Sequence, residues 1–232
     1  MSILHDGLVQ LGFEKAEFNG IHTLPLEQLE QKMLTYIASL KEYNAKFDLI
    51  NTDDDDDIAI RHILDSLSAV NNVTRLIAER MAHSNDIKDN FIMADIGSGA
   101  GLPGIPLSTA LPNIKFILVE RMTKRCAFLN HCKTELDLNN VTVEENQAER
   151  LEQERFDLTV FRAFRPLEKK MMHVLIRVLK HGGVIAAYKA KSDKIKEEMD
   201  ALGKNAPVYT VEPLSVPFLD DHERNLVVIK RD

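Results

Sequence analysis

The densest chemistry in the chain lies in Asp95-Ile96-Gly97-Ser98-Gly99-Ala100-Gly101-Leu102-Pro103-Gly104, which follows directly on the apolar run Phe91-Ile92-Met93-Ala94. Alternate glycines permit positive φ and let a ligand approach the backbone where a Cβ would block it. An apolar run feeding such a turn reads as a buried parallel strand. In an open α/β sheet the ligand sits at the carboxyl ends of the strands. Glu120 closes the next apolar run, Phe116-Ile117-Leu118-Val119, about 20 residues on, where a carboxylate would accept from ribose hydroxyls. The pattern points to a ligand that contains a nucleoside.

Spacing separates the candidate nucleosides. A dinucleotide site wants Gly-x-Gly-x-x-Gly and a bare helix N-terminus for the pyrophosphate, but here the third glycine comes one residue early and Pro103 and Pro106 follow it. Acidic-x-Gly-x-Gly-x-Gly suits S-adenosylmethionine, which has no phosphate and needs carboxylate acceptors and approachable backbone. Asp95 and Glu120 supply the carboxylates, and Gly97, Ser98, Gly99 and Gly101 the backbone. An NAD-dependent oxidoreductase is the rival reading, and a tight strand-to-helix turn without a ligand is the plain one.

Other catalytic patterns are missing from the sequence. Cys126 and Cys132 lack metal-ligand and Cys-x-x-Cys spacing, and the eight histidines form no His-Glu-x-x-His pattern. Asp53 to Asp57 is a run of five carboxylates without the glycine and spaced glutamate of a calcium loop. It reads as a surface loop capping a helix near Ile58. No metal and no disulfide are expected, and both cysteines read as packing residues.

Charge is unevenly spread in this chain of 232 residues and net charge −7. Residues 1–90 hold 16 acidic and 8 basic side chains, net −8, whereas residues 115–196 hold 11 acidic and 17 basic, net +6. A basic region in an acidic protein can present one face to phosphates; the alternative is that these cations decorate solvated helices. Met1 to Gln10 lacks a basic start and an apolar core, and no apolar run reaches a membrane-spanning length. A cytoplasmic protein without membrane contact is expected.

The elements that must position the glycine turn follow from hydrophobic period. Leu26, Leu29, Met33, Ile37 and Leu40, then Ile60, Ile63, Leu64 and Leu67, recur at helical intervals, so residues 1–90 read as a helical extension. From residue 91 to 232, strands at 91–96, 115–120, 141–145, 156–161, 183–190, 208–212 and 225–230 alternate with helical patterns. This spells an α/β domain with a doubly wound, mostly parallel seven-stranded, Rossmann-like sheet. Gly182-Gly183 reads as the stop of a helix ending near Lys180. The stretch from Asn146 to Phe156 has room for only one or two helical turns.

Three segments together, Arg61-His62-Ile63-Leu64-Asp65-Ser66, Asp95 to Leu107 and Arg162-Ala163-Phe164, closely resemble the glucose-inhibited division protein B (RsmG) family over nearly the whole chain. The resemblance implies a class I methyltransferase fold and methyl transfer from S-adenosylmethionine to N7 of one guanosine in small-subunit (16S) ribosomal RNA, leaving S-adenosylhomocysteine. It places cofactor contacts at Gly97, Leu102, the pair Ala148-Glu149 and Arg162, with Glu120 as the ribose acid. The RNA partner could be naked or part of an assembling ribosomal subunit, and an RNA-binding module without turnover is the second alternative function.

The chain departs from the family pattern at Asp48 and Ile50 in the segment Tyr43 to Ile50, at Ala190 after Lys189, and at Asn225 before the last strand. Arg61 and His62 allow two readings: a phosphate clamp and a base-stacking ring at the site, or a docking contact with Asp65 pairing Arg61 along the helix. Arg162 reads as a site residue at a strand's carboxyl end, or as a surface ion pair. Arg121, Lys124, Arg125 and Lys189 are candidates for RNA phosphates. Neutral guanine already presents a lone pair at N7, so alignment suffices and no general base is required; His62 is the one candidate for such a role.

Overall fold

A computed structural model describes residues 2–83, 85–163 and 167–232; Phe164 of the quoted Arg162-Ala163-Phe164 motif lies outside the described residues. Helix α1 (Ile3–Gln10) begins where the Ser2 side chain accepts from the His5 N–H, the bond expected of a serine at this position. After a short antiparallel ribbon, Glu17–Phe18 with Ile21–His22, helix α2 (Leu26–Phe47) buries Leu26, Leu29, Met33, Ile37 and Leu40, the face given by their spacing. It ends at Asp48, which takes the left-handed conformation at φ 50°.

The five-aspartate run divides between loop and helix. Asp54 accepts from the Asp57 N–H and caps a continuous helical stretch, α3, that is α-helical over Asp55–Ile58, π-helical over Ala59–Leu64 and α-helical again over Asp65–Leu67. Carboxylates in the first turn complement the positive end of the helix dipole. Helices α4 (Val70–Met81) and α5 (Asn85–Asp89) follow. Among the described residues no helix is long and apolar enough to cross a membrane.

The remaining chain alternates strand and helix: β1 (Ile92–Ile96), α6 (Gly104–Ala110), β2 (Lys115–Glu120), α7 (Thr123–Glu135), β3 (Val141–Glu145), β4 (Phe156–Arg162), α8 (Lys169–Val178), β5 (Leu179–Lys189), α9 (Ser192–Leu202), β6 (Tyr209–Pro213) and β7 (Asn225–Lys230). The strands form one seven-stranded sheet in the order β3-β2-β1-β4-β5-β7-β6. Strands β1 to β5 run parallel to one another, and β7 enters antiparallel between β5 and β6. This is the doubly wound, mostly parallel sheet that the alternating periods predict.

Winding reverses between β1 and β4. From β1 the chain winds outward through β2 to β3 and then returns to place β4 on the other side of β1. That reversal opens a crevice at the carboxyl ends of β1 and β4, the favoured ligand position in such sheets. Helices α1 to α4, α6 and α7 share one apolar core with Met93, Phe116, Leu118 and Val160 on one face of the sheet. Helices α8 and α9 cover Ala94, Ile96, Phe161 and Ile185 on the other.

One turn differs from its sequence reading. Gly182-Gly183 is not a helix stop: α8 ends at Val178, and both glycines lie inside β5. Gly182 has φ 70°, and β5 slips register against β4 between Phe156 and Leu158. The pair forms an irregularity within a strand, a second ordinary use of glycine. The Asn146 to Phe156 connection contains a single 3-10 turn, Ala148–Arg150, as its length demands.

Candidate active site

Two cavities open at the carboxyl ends of the strands, and Ala163, just past β4, lines both. The smaller, of about 220 Å³, is walled by Gly97, Glu120, Arg121, Arg125, Ala148 and Glu149. The larger, of about 660 Å³, is walled by Arg61, His62, Asp65, Arg162, Tyr188, Lys189, Glu198 and Arg224. Loops after β1, β2 and β3 therefore build one chamber, and α3 with the ends of β4 and β5 builds the other.

Glu120 is the hinge of the smaller chamber. Its carboxylate, 4% exposed, accepts from the Gly99 N–H through Oε2 at 2.9 Å, and from the Arg121 and Met122 N–H groups through Oε1 at 2.8 and 2.9 Å. A carboxylate has about four acceptor positions, so Oε2 retains one for a hydroxyl. The same side chain ties the glycine turn to the end of β2. A Cβ built on Gly99 would meet nothing nearer than 3.8 Å, so the turn presents open backbone beside that acceptor.

The other residues of the turn face inward. Asp95 is fully buried; its Oδ2 accepts from the Gly104 N–H at 2.9 Å, and Oδ1 is buried without a hydrogen-bond partner. Burial pushes its carboxyl up to about 7, against the bonds from Gly104 and Ser98 that lower it. Ser98 donates to the Asp95 carbonyl. Gly101, at φ 90°, packs so tightly that a Cβ would lie 2.5 Å from Ile105, and Leu102 is buried in the core. Thus Gly97 lines the chamber and Gly99 stands next to it, bonded to Glu120 and beside Gly97 and Arg125, whereas Asp95, Ser98, Gly101 and Leu102 hold the turn from behind.

In the larger chamber the cations and carboxylates interlock. Arg162 donates to the Arg61 carbonyl and to Asp65 Oδ2, both at 2.9 Å, and to His62 Nδ1 at 3.0 Å. Arg224 reaches the same Asp65 oxygen at 3.3 Å. Arg61 pairs with Asp57, four residues earlier, and not with Asp65 as the helical spacing suggests; the two arginines from the sheet have taken that carboxylate. Burial first, and then the Arg162 charge, pull His62 down to about 4. Its ring is neutral at physiological pH, with Nδ1 accepting and Nε2 carrying the proton.

The basic candidates divide between the chambers. Arg121 and Arg125 flank Glu120, Lys124 is exposed on α7 outside both cavities, and Lys189 lines the larger one, paired with Glu198 at 2.7 Å. Three residues of the larger chamber carry no motif of their own in the sequence, Tyr188, Glu198 and Arg224, and Asp65, which lies in a quoted motif, acts as a bridge to Arg162 and Arg224 that its spacing does not signal. Tyr188 donates to the Ser66 carbonyl and holds α3 against β5. Arg224 arrives only because β7 inserts between β5 and β6, a non-local pairing that local patterns cannot signal.

Comparison with known proteins meets this geometry. The family model for rRNA small subunit methyltransferase G matches residues 29–227. The chain belongs to that family. A Treponema denticola protein named ribosomal RNA small subunit methyltransferase G is 36% identical over 99% of this chain and 94% of its own length. A Neisseria meningitidis protein of the same name is 31% identical over 88% of this chain and 90% of its own. A solved structure of a candidate S-adenosylmethionine-dependent methyltransferase from Methanococcus maripaludis shares the fold, with TM-score 0.51, 15% identity and coverage of 72% of this chain and 94% of that one.

Of the departures from the family's motifs, Ala190 lines the larger chamber and the others fall on supporting positions. Asn44 Oδ1 accepts from the Leu49 and Ile50 N–H groups, and Ile50 is buried, so this segment folds on itself. Asn225 donates to the Ala190 carbonyl at 2.6 Å and braces the wall of the larger chamber from behind.

Proposed function

We infer that this rRNA small subunit methyltransferase G family member transfers a methyl group from S-adenosylmethionine to N7 of a guanosine in small-subunit ribosomal RNA. The observation that carries the reading is the paired chamber at the β1–β4 reversal, with a hydroxyl acceptor and open glycine backbone in one half and a neutral histidine among arginines in the other. The residues present fit the cofactor: Glu120 has an acceptor to spare, and Gly99 leaves room at its backbone. Gly97, Gly99, Glu120, Ala148, Glu149 and Arg162 are its proposed contacts. Asp95, Ser98, Gly101 and Leu102 shape the turn that receives it.

When bound, S-adenosylmethionine supplies a methyl carbon whose bond to a sulfonium sulfur breaks toward sulfur as the N7 lone pair takes it. The protein supplies alignment. His62, neutral and locked by Arg162, offers a flat ring for the base without adding charge to a purine that becomes cationic. Arg61, Arg121, Lys124, Arg125 and Lys189 hold phosphates around the opening. Residues 1–90 form a helical extension on the 91–232 methyltransferase domain. The enzyme works in the cytoplasm on RNA of an assembling small subunit.

The test uses labelled S-adenosylmethionine and small subunits or their naked RNA from cells lacking this activity. The label should enter the RNA and map, after nuclease digestion, to N7-methylguanosine. Absence of transfer to both substrates overturns the reading in favour of a binding module without turnover, and label at another atom overturns the N7 assignment.

A further inference from the structure

We propose that Glu198 reads the Watson–Crick edge of the target guanine, so that one carboxylate on α9 sets base specificity and speeds transfer; the proposal rests on the methyltransferase reading above. The larger chamber offers two carboxylates, and they differ in availability. Asp65 is engaged through Oδ2 by Arg162 and Arg224, and its Oδ1 is sealed in the interior. Glu198 lines the cavity at 28% side-chain exposure. Among the described residues its hydrogen bonds, from Lys189 Nζ at 2.7 Å and from the Leu167 N–H at 3.4 Å, all end on Oε2. Its Oε1 is left to accept from a ligand, while Lys189 fixes the side chain in place.

Position in the fold agrees with this role. The methyl donor belongs to the β1–β4 reversal, so N7 must face that side. The adjoining Watson–Crick edge of the purine, with its N1–H and N2–H donors, is then turned along the sheet toward β5 and the helix after it. Strands are spaced about 4.8 Å apart, so the step from β4 past β5 spans roughly a purine and one hydrogen bond. Glu198 stands on that helix. The free Oε1, with two lone pairs, accepts from both guanine donors, whereas adenine presents an unprotonated N1 there and is repelled, although its N7 is also nucleophilic.

The contact also favours the reaction itself. N7 methylation makes the purine cationic and strengthens N1–H as a donor, so the bond to Glu198 tightens as the transition state is approached. Interactions that are stronger in the transition state raise turnover and not merely binding.

The test couples enzyme and substrate. RNA fragments are ligated with guanosine or inosine at the mapped position; inosine lacks only the N2 amino group. Wild-type enzyme should transfer roughly 10- to 100-fold more slowly to the inosine RNA, the range of one hydrogen bond to a charged acceptor. Glu198→Gln should slow the guanosine RNA by a similar factor, mainly in kcat, and then discriminate little between the two. Lys189→Met, which breaks the same ion pair but keeps the carboxylate, should slow both RNAs, because the carboxylate is less fixed and a phosphate contact is lost, yet still favour guanosine. Equal wild-type rates on both RNAs overturn the proposal without any variant. A Glu198→Gln enzyme that slows both RNAs by the same factor shows a structural role and also overturns it. Wild-type enzyme that methylates neither RNA overturns the methyltransferase reading instead.

Discussion

At the scale of single residues, His62 and Asp95 titrate in opposite senses, and both shifts come chiefly from burial. His62 is held near 4, so no proton should leave or join it between pH 6.5 and 8.5. Single-turnover transfer at saturating RNA and cofactor should be nearly flat over that range, and His62→Ala should lower the rate equally throughout. A tenfold rise per pH unit that vanishes in the variant would make His62 a base and N7 the wrong atom. Asp95 moves the other way, from 3.8 to about 7. A raised folded pKa contributes stability that is full below the unfolded value and is lost as pH rises through the folded one. Thermal unfolding should therefore show the wild type losing ground to Asp95→Asn between about pH 4 and 7, with a constant difference above; a constant difference throughout would show that Asp95 stays ionised. Glu120 and Asp95 were both legible as acids flanking a glycine turn. That one faces the chamber and the other is sealed behind it was not, because burial is decided by the helices packed against the turn.

At the scale of elements, the glycine-rich turn separates into a ligand side and a packing side. Gly99 and Gly101 both sit at positive φ, at 58° and 90°, but a Cβ on Gly99 makes only ordinary contact with Gly97 and Arg125 whereas one on Gly101 collides with Ile105, Leu129 and Tyr36. Gly101→Ala should cost about 1–3 kcal/mol in overpacking, with roughly 1–2 more for the left-handed backbone, read as a lower unfolding midpoint. Gly99→Val carries chiefly the backbone cost, yet it should abolish S-adenosylmethionine binding in calorimetry because its side chain adds volume beside Gly97, Glu120 and Arg125, which line the chamber. Unchanged affinity in Gly99→Val would move the cofactor elsewhere. All seven strands of the large sheet were legible, but only β1, β2, β4 and β5 show the apolar run of a parallel strand buried on both faces; β3 and β6 carry exposed polar residues and β7 is antiparallel. The π-helical turn at Ala59–Leu64 was not: the apolar spacing of Ile60, Ile63, Leu64 and Leu67 fits an α-helix, and i→i+5 hydrogen bonding leaves no mark in composition. Such turns gather at functional sites, and this one carries Arg61 and His62 to Arg162.

At the scale of the whole molecule, the uneven charge becomes a question of which cations serve RNA and which serve the cofactor. The −8 of residues 1–90 and the +6 of 115–196 were countable in the sequence, but their geometry required the fold. Arg125 turned out to border the chamber of Glu120, whereas Lys124 beside it is exposed and borders neither cavity. Charge reversal should separate the two. Lys124→Glu should weaken RNA binding and reduce the slope of log affinity against log salt by about 1, the share of one phosphate contact, with S-adenosylmethionine affinity unchanged. Arg125→Glu should weaken both ligands, because it also sets a second carboxylate beside Glu120 at the mouth of the nucleoside chamber. Parallel titrations of each variant with labelled RNA at several salt concentrations, and with cofactor by calorimetry, give the four numbers needed. If neither reversal changes the salt slope, α7 is a solvated face and the RNA lies wholly over α3, β5 and Arg224.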